Sequence, residues 1–511
     1  MADKKDPASK TGDKKTLYRN RAQRMVKRWA GERLDSQRQN PLNEHETCRS
    51  EQTCYINSES GDIIQPQKAI PVLDACDVLV VGGGPAGISA ALAARRAGAD
   101  TILMERFGCF GGVITTVGME TIAWYRYEGT VDSEGIGIEM ERLAATMGGT
   151  IKWPYNDSEC LDADFFKIVA DHLITEANVR PYLHCKAVEV IMEDNVIRGV
   201  ITESKSGRQA IVAKRVIDCT GDADIAYLAG ATYRKTDRKE MMGVTTVFNC
   251  AGVDKEKFLE YTRMNPATYA DWGKTWDQQT SGKEDQLRSP YLEKEFIEAK
   301  NRGIIPAELN NLSGSWSALS EAGEATNLNL VHMMEIDCTD VKDLTRAEMQ
   351  GRREAMHALQ ALKEVVPGFE KAKLRNFGMT LGCRDSRKIV GRYQLTEQDV
   401  KSEARFSDSI GIFPEFLDGY NILILPTTGR YFQVPYGCLV PQQVDNLLVA
   451  GRCVSGDKIS HCAMRNMMAC TVTGQGAGVA AAVSIGQNQS TSQVEIQKVQ
   501  TELQRQKVRI W

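Results

Sequence analysis

The sequence has no excess of charge large enough to choose its partners, since 63 Lys and Arg stand against 67 Asp and Glu for a formal charge of −4. A globally basic field for nucleic acid or anionic membrane is thereby excluded, and a small-molecule partner becomes the default expectation. Long hydrophobic runs are also missing: no stretch reads as the roughly 18 to 20 apolar residues of a membrane span. The opening MADKKDPASK has no secretory apolar segment. A cytoplasmic chain without an integral membrane span is expected. The fourteen cysteines show neither CxxC nor paired CxxC spacing, so no metal site and no thioredoxin-type dithiol is indicated. Most are expected to be reduced, buried small hydrophobes.

What is present is an ordinary globular composition, with 42% hydrophobic and 25% charged residues in 511. That length allows about two to four domains. Residues 1–40 carry twelve Lys or Arg and five Asp or Glu, and 16–34 could form a basic helix; the alternative is a solvated tail. Residues 1–72 are therefore set apart as a basic N-terminal extension. From Asp77 the pattern becomes a short apolar strand, then Gly82-Gly83-Gly84-Pro85-Ala86-Gly87, an Ala-rich helix over 88–97 and a second strand, Thr101–Met104. This is a βαβ unit. Strands are expected at 187–192, 196–203, 209–213 and 215–218, and amphipathic helices with few long strands over 231–380. A buried strand over 445–451 and a small-residue helix over about 463–485 follow.

Gly82, Gly84 and Gly87 form a GxGxxG turn between strand and helix, with Glu105 ending the next strand 23 residues after Gly82. Spacing and context point to a dinucleotide: Gly82 for the tight turn, Gly84 for approach of a pyrophosphate, Gly87 for close packing of helix on strand. Glu105 suits two ribose hydroxyls and would repel a 2′-phosphate. The unit alone does not separate FAD from NAD.

Four blocks do, at 80–112, 214–231, 381–400 and 434–482. Through them the chain resembles the FAD-dependent oxidoreductases, flavoproteins similar in fold to glutathione reductase and fumarate reductase. The resemblance implies an α/β fold: a Rossmann-like FAD-binding domain over 73–230 and 381–487, interrupted by a mixed α+β substrate or lid domain over 231–380, with a C-terminal tail or helix over 488–511. It implies FAD held by the Gly82, Gly84, Pro85, Ala86 and Gly87 turn, by Glu105 and Arg106, and by the double glycine Gly111-Gly112. Val188 would lie near adenine. Thr220, Gly221 and Asp222 match the family's Thr-Gly-Asp turn of the cofactor site, Gly451 and Arg452 would lie near the ribityl chain, and Arg465 would stand before a helix whose amino end faces the flavin pyrimidine. That helix end and Arg465 would favour the negative charge of reduced flavin.

With one fingerprint there is no dedicated nicotinamide domain, so electrons enter and leave at the flavin face. No cysteine pair follows the double glycine, where Val113-Ile114-Thr115-Thr116 stands instead, and a flavin-disulfide relay is not expected. His461 is the leading acid or base and Arg384 the carboxylate clamp; the alternatives are an orienting His461 and an Arg384–Asp385 ion pair. A covalent flavin tether through His461 or Cys462 is a minor reading, and His332 a lesser candidate than His461. Trp124, Tyr125, Tyr431 and Tyr436 are pocket candidates, with core packing as the default. Hydride transfer at flavin N5 on a small organic substrate is the expected function, with a flavin monooxygenase and a non-catalytic binding scaffold as alternatives. The second electron partner (oxygen, quinone, nicotinamide or protein), and whether the chain forms a homo-oligomer, stay open.

Overall fold

Val78-Leu79-Val80-Val81 are all buried, and a strand with no polar face belongs inside a sheet covered on both sides. In the computed structural model, which describes residues 54–57, 62–271 and 286–511, that strand is β1 (Val72–Val81). Glycine turn and helix follow as α1 (Pro85–Arg96), and β2 (Thr101–Met104) lies parallel to β1. The sheet grows outward through β3 (Arg180–Tyr182), parallel to β2. On the other side come the antiparallel strands β4 (Lys186–Glu193), β5 (Val196–Ser204) and β6 (Gly207–Asp218), in the order β3-β2-β1-β6-β5-β4.

The chain divides into two units, 1–72 and 73–511. In the first, Tyr55–Ile56 pairs with Ile63–Ile64; the expected basic helix over 16–34 lies outside the described residues.

Three expectations about local structure need correction. The two strands expected at 209–213 and 215–218 are one, β6, whose first half pairs with β5 and whose last residues pair with Leu447–Val449. Lys214 breaks the apolar run without breaking the strand, because its ammonium reaches Asp77 at 2.7 Å. Between the two parts of the main sheet, residues expected to hold few long strands build a second sheet. Its strands include β7 (Val244–Ala251) and β8 (Glu324–Met333), antiparallel neighbours. The helix α2 (Val341–Val365) packs on it through Ala355, Ala358, Leu359 and Leu362. The sequence conceals these strands because their buried faces carry Thr245, Thr246, Asn249, Asn327 and Asn329.

The chain then returns to the main sheet as β9 (Leu447–Val449), parallel to β6. The third correction is to the start of the small-residue helix expected over about 463–485, which lies at Met467 after a break. A short turn, Ser460–Met464, ends where the Asn466 amide donates to the Cys462 and Ala463 carbonyls, and α3 (Met467–Gly486) starts afresh. By length and composition α3 could cross a membrane, yet 89% of its most apolar 18-residue window is buried inside the protein. It lies on α1 so closely that a Cβ at Gly474 would sit 2.1 Å from the Ala86 oxygen and one at Gly478 2.2 Å from that of Ala90. Any larger residue there would force two backbones apart. A C-terminal helix, Ile496–Arg505, closes the described chain.

Candidate functional site

At the end of β1 the Gly82 amide donates to the Met104 carbonyl at 2.8 Å with φ at +102°. A Cβ on Gly87 would lie 1.7 Å from the Gly82 oxygen, so only glycine lets α1 start this close to the strand. Gly84 differs. A Cβ there would meet only the Gly112 Cα, at 3.6 Å, and no side chain caps the helix it starts. The first turn of α1 thus presents bare backbone and unclaimed amides, the positive end of a helix dipole, toward open space. Glu105, 7% exposed, accepts the Gly83 N–H at 2.7 Å and the Phe107 N–H at 3.0 Å. One lone pair on each oxygen remains for a ligand.

That open space is a cavity of about 1020 Å³. It brings together Gly82, Gly84, Pro85, Ala86, Glu105, Arg106, Gly112, Thr220, Gly221, Asp222, Gly451, Arg452 and Arg465 from segments nearly 400 residues apart in sequence. Gly87, Gly111, Val188 and His461 do not line it. Gly87 packs under the turn, Gly111 donates to the Gly83 carbonyl at 2.8 Å, and in the β4 stretch Lys186 and Ala187 rather than Val188 form the wall.

Asp222 and Arg452 meet at 2.7 Å, and the Ser386 hydroxyl donates to the same carboxylate oxygen at 2.6 Å. Burial would raise the Asp222 carboxyl, but Arg452 and the hydrogen bonds outweigh it and hold it below its usual value. Asp218 behind it is fully buried and pushed up to about 6, even though Thr220 and the Ala226 amide donate to it. Arg465 does not bring the net positive charge expected of it. Its guanidinium sits 2.6 Å from Asp418, so the charge is locally neutralised. The adjoining amino end of α3, with Asn466, Met467 and Cys470, does line the cavity.

The far wall comes from the second sheet. Arg384 donates to the Gly243 carbonyl at 2.7 Å and to Asn329 Oδ1 at 3.3 Å. The Arg384–Asp385 ion pair is not formed: Asp385 is taken by Lys388 at 2.5 Å and by Tyr420. Among the described residues no carboxylate lies within ion-pair distance of Arg384. Burial, with Arg465 nearby, lowers its guanidinium to about 10. His332 lines the cavity and is lowered to about 3, first by burial and then by Arg384, so it is neutral.

His461 needs correction. It is 2% exposed and its Nε2 lies 3.0 Å from the Arg384 carbonyl oxygen; burial, then Lys388, keeps it neutral. It therefore braces the Arg384 backbone rather than facing the cavity. Of the aromatic candidates Trp124 lines the cavity, joined by Trp153 and Tyr291, which the sequence did not single out. Tyr125 packs on Phe413 and Phe416, the Tyr436 hydroxyl donates to the Thr491 carbonyl, and Tyr431 lies under Arg405. Cys462 is buried in the core. A disulfide, Cys338–Cys383, also lines the cavity. With the two cysteines 45 residues apart, no spacing could have announced it.

A profile of the FAD dependent oxidoreductases matches residues 77–503. The chain belongs to this family. FAD is its cofactor, and the cavity fits one: an extended space, bare backbone at Gly84 where a Cβ would intrude on a diphosphate, and an acidic residue at the end of β2. Over 176 residues the chain is 31% identical to the tRNA uridine 5-carboxymethylaminomethyl modification enzyme MnmG of Alkaliphilus metalliredigens, covering 31% of this chain and 25% of that protein. The chain thus spans about a quarter of the length of that curated relative. Similar solved structures include a geranylgeranyl bacteriochlorophyll reductase-like protein of Thermoplasma acidophilum, at 16% identity over 84% of this chain and 83% of that one with a TM-score of 0.43. A second is p-nitrophenol 4-monooxygenase of Pseudomonas putida, at 12% identity over 84% of each chain with a TM-score of 0.40.

Proposed function

We propose that this FAD-dependent oxidoreductase transfers hydride between a carbon of a small carboxylate-bearing molecule and flavin N5. The observation that carries the reading is Arg384: a half-buried guanidinium at the cavity wall whose side-chain hydrogen bonds go to neutral oxygens of Gly243 and Asn329. With no carboxylate within ion-pair distance among the described residues, the guanidinium can take an anionic ligand in the cavity through two parallel hydrogen bonds.

FAD, when bound, supplies the two-electron chemistry. The protein's residues do the rest. Gly82, Gly84, Pro85 and Ala86 receive the diphosphate at the amino end of α1, Glu105 the ribose, and the Asp222–Arg452 pair and Gly451 the ribityl side. Asn466 and Met467 present the amino end of α3 to the pyrimidine edge. Arg384 fixes the substrate carboxylate, Asn329 and neutral His332 offer hydrogen bonds beside it, and Trp124 and Trp153 keep water from the reacting face.

The test is anaerobic. Purified yellow protein is mixed with 2-hydroxy, 2-amino and unsaturated carboxylates while the flavin band near about 450 nm is followed. Bleaching by a carboxylate, and loss of that bleaching in R384A, is the expected result. Bleaching by NADH or NADPH alone, with oxygen uptake that depends on an added organic substrate, would replace this reading with a monooxygenase.

A further inference from the structure

We propose that Cys338 and Cys383 form a second redox centre, a disulfide that takes an electron pair from the reduced flavin and delivers it to a disulfide-bearing partner at the cavity mouth. The proposal rests on the reading that FAD occupies the cavity and names the class of its second electron partner.

Cys338 lies between β8 and α2, and Cys383 on the segment that follows the second sheet; their Cα atoms are 6.5 Å apart and their sulfurs are bonded. Both residues line the same cavity as the glycine turn and Arg452. On this side the wall also includes Lys239, Glu240 and Met334, all exposed, while Cys338 itself is buried with Val244, Met333 and Leu381 and Cys383 is half-buried at the edge of that cluster. The neighbouring Arg238 reaches Asp343, five residues beyond Cys338, at 3.0 Å. Inward, the next residue after Cys383 is Arg384. The pair thus lies between the mouth and the substrate wall.

A structural staple is a poor account of it. The Cys338 loop is already tied by the Asp337 amide to Asp343 at 3.0 Å and by the Lys235–Asp337 ion pair. The Cys383 segment is tied by two backbone bonds between Thr245 and Gly382 and by the Leu381 amide to Glu348 at 3.0 Å. Of the thirteen described cysteines the other eleven are thiols, ten of them buried. A single disulfide among so many thiols fits a chain kept in reducing surroundings, where a persistent bridge is more often a working one. Cys383 is half-buried, so of the two sulfurs it is the one a partner can reach.

The steps balance. Two electrons and two protons, the equivalent held by the two-electron-reduced flavin, enter the Cys338–Cys383 bond, which breaks to two thiols while the flavin is left oxidised. The Cys383 thiolate then attacks the partner's disulfide and displaces one of its sulfurs as a thiol. Cys338 attacks the mixed disulfide, releasing the second thiol and restoring the bond.

Anaerobic dithionite titration of the yellow protein is expected to consume about four electrons per flavin in the wild type and about two in C383S. Iodoacetamide should label Cys338 and Cys383, read by peptide mass, only after reduction. Addition of hydroxyethyl disulfide to the reduced protein should restore the flavin band in the wild type and not in C383S. Uptake of two electrons by yellow wild-type protein, with both cysteines unlabelled, overturns the proposal and leaves the flavin reading intact; failure of the disulfide to restore the band overturns the exchange step. A colourless protein overturns both. If C383S does not fold, the wild-type titration and labelling still decide.

Discussion

His461 Nε2 stands 3.0 Å from the carbonyl oxygen of Arg384, and this contact joins the histidine to the cavity without placing it there. The guanidinium of the same residue faces the cavity, whereas His461 is not among the residues that line it.

R384A should therefore lower kcat/KM for a carboxylate substrate by about 10- to 100-fold, mostly through KM, as expected for losing one charged hydrogen-bonded contact. H461N should lower Tm and shift KM less than R384A does, leaving the pH profile of kcat unchanged. A pH profile that loses a limb in H461N would restore the histidine to proton transfer.

G84A and G87A should separate cofactor binding from folding. A methyl at Gly84 meets only Gly112, at an ordinary 3.6 Å, but one at Gly87 collides with the Gly82 oxygen at 1.7 Å. G84A is expected to fold with a near-native Tm and to purify with much less bound flavin; G87A should be unstable or insoluble. Full flavin content in G84A would remove the diphosphate from this turn.

Asp222 and Arg452 should behave as a largely buried, coupled pair. D222A leaves a stranded guanidinium and is expected to cost about 3 kcal/mol or more. Adding R452M should recover a good part of that. Additive losses in denaturant unfolding would mean that the two side chains are not coupled.

Glu120 is 2% exposed, and burial, which outweighs the hydrogen bond from Thr326, pushes its carboxyl up to about 8. A carboxyl raised in the folded state contributes stability that is fully present below its unfolded value, near 4.5, and that is lost as pH rises through about 8. The Tm of the wild type should thus fall relative to E120Q between these two values. A Tm difference that is constant with pH would place the charge of Glu120 elsewhere.

The glycine turn, Glu105 and the α1 boundary were legible because each is local: a strand, a turn and a helix within about thirty residues impose their own residue types. Arg384 was legible as a cation in an unusual segment, but its freedom from Asp385 was not, since the competitor Lys388 is only three residues away and the chain alone does not say which cation Asp385 takes. The strands of the second sheet were expected only in general, as part of a mixed α+β domain, and not placed, because the cavity the sheet walls is polar. Thr245, Asn329 and His332 interrupt the alternation that marks a strand.

By itself the sequence determined the dinucleotide turn, the family and the α/β plan, because backbone sterics and hydrophobic period act over short range. Tertiary structure alone decided which groups share the cavity. Arg384 faces it and His461 stands behind; Arg465 is neutralised by Asp418; Cys338 finds Cys383. These outcomes depend on distances between segments far apart in the chain, and such distances exist only after the two sheets have packed.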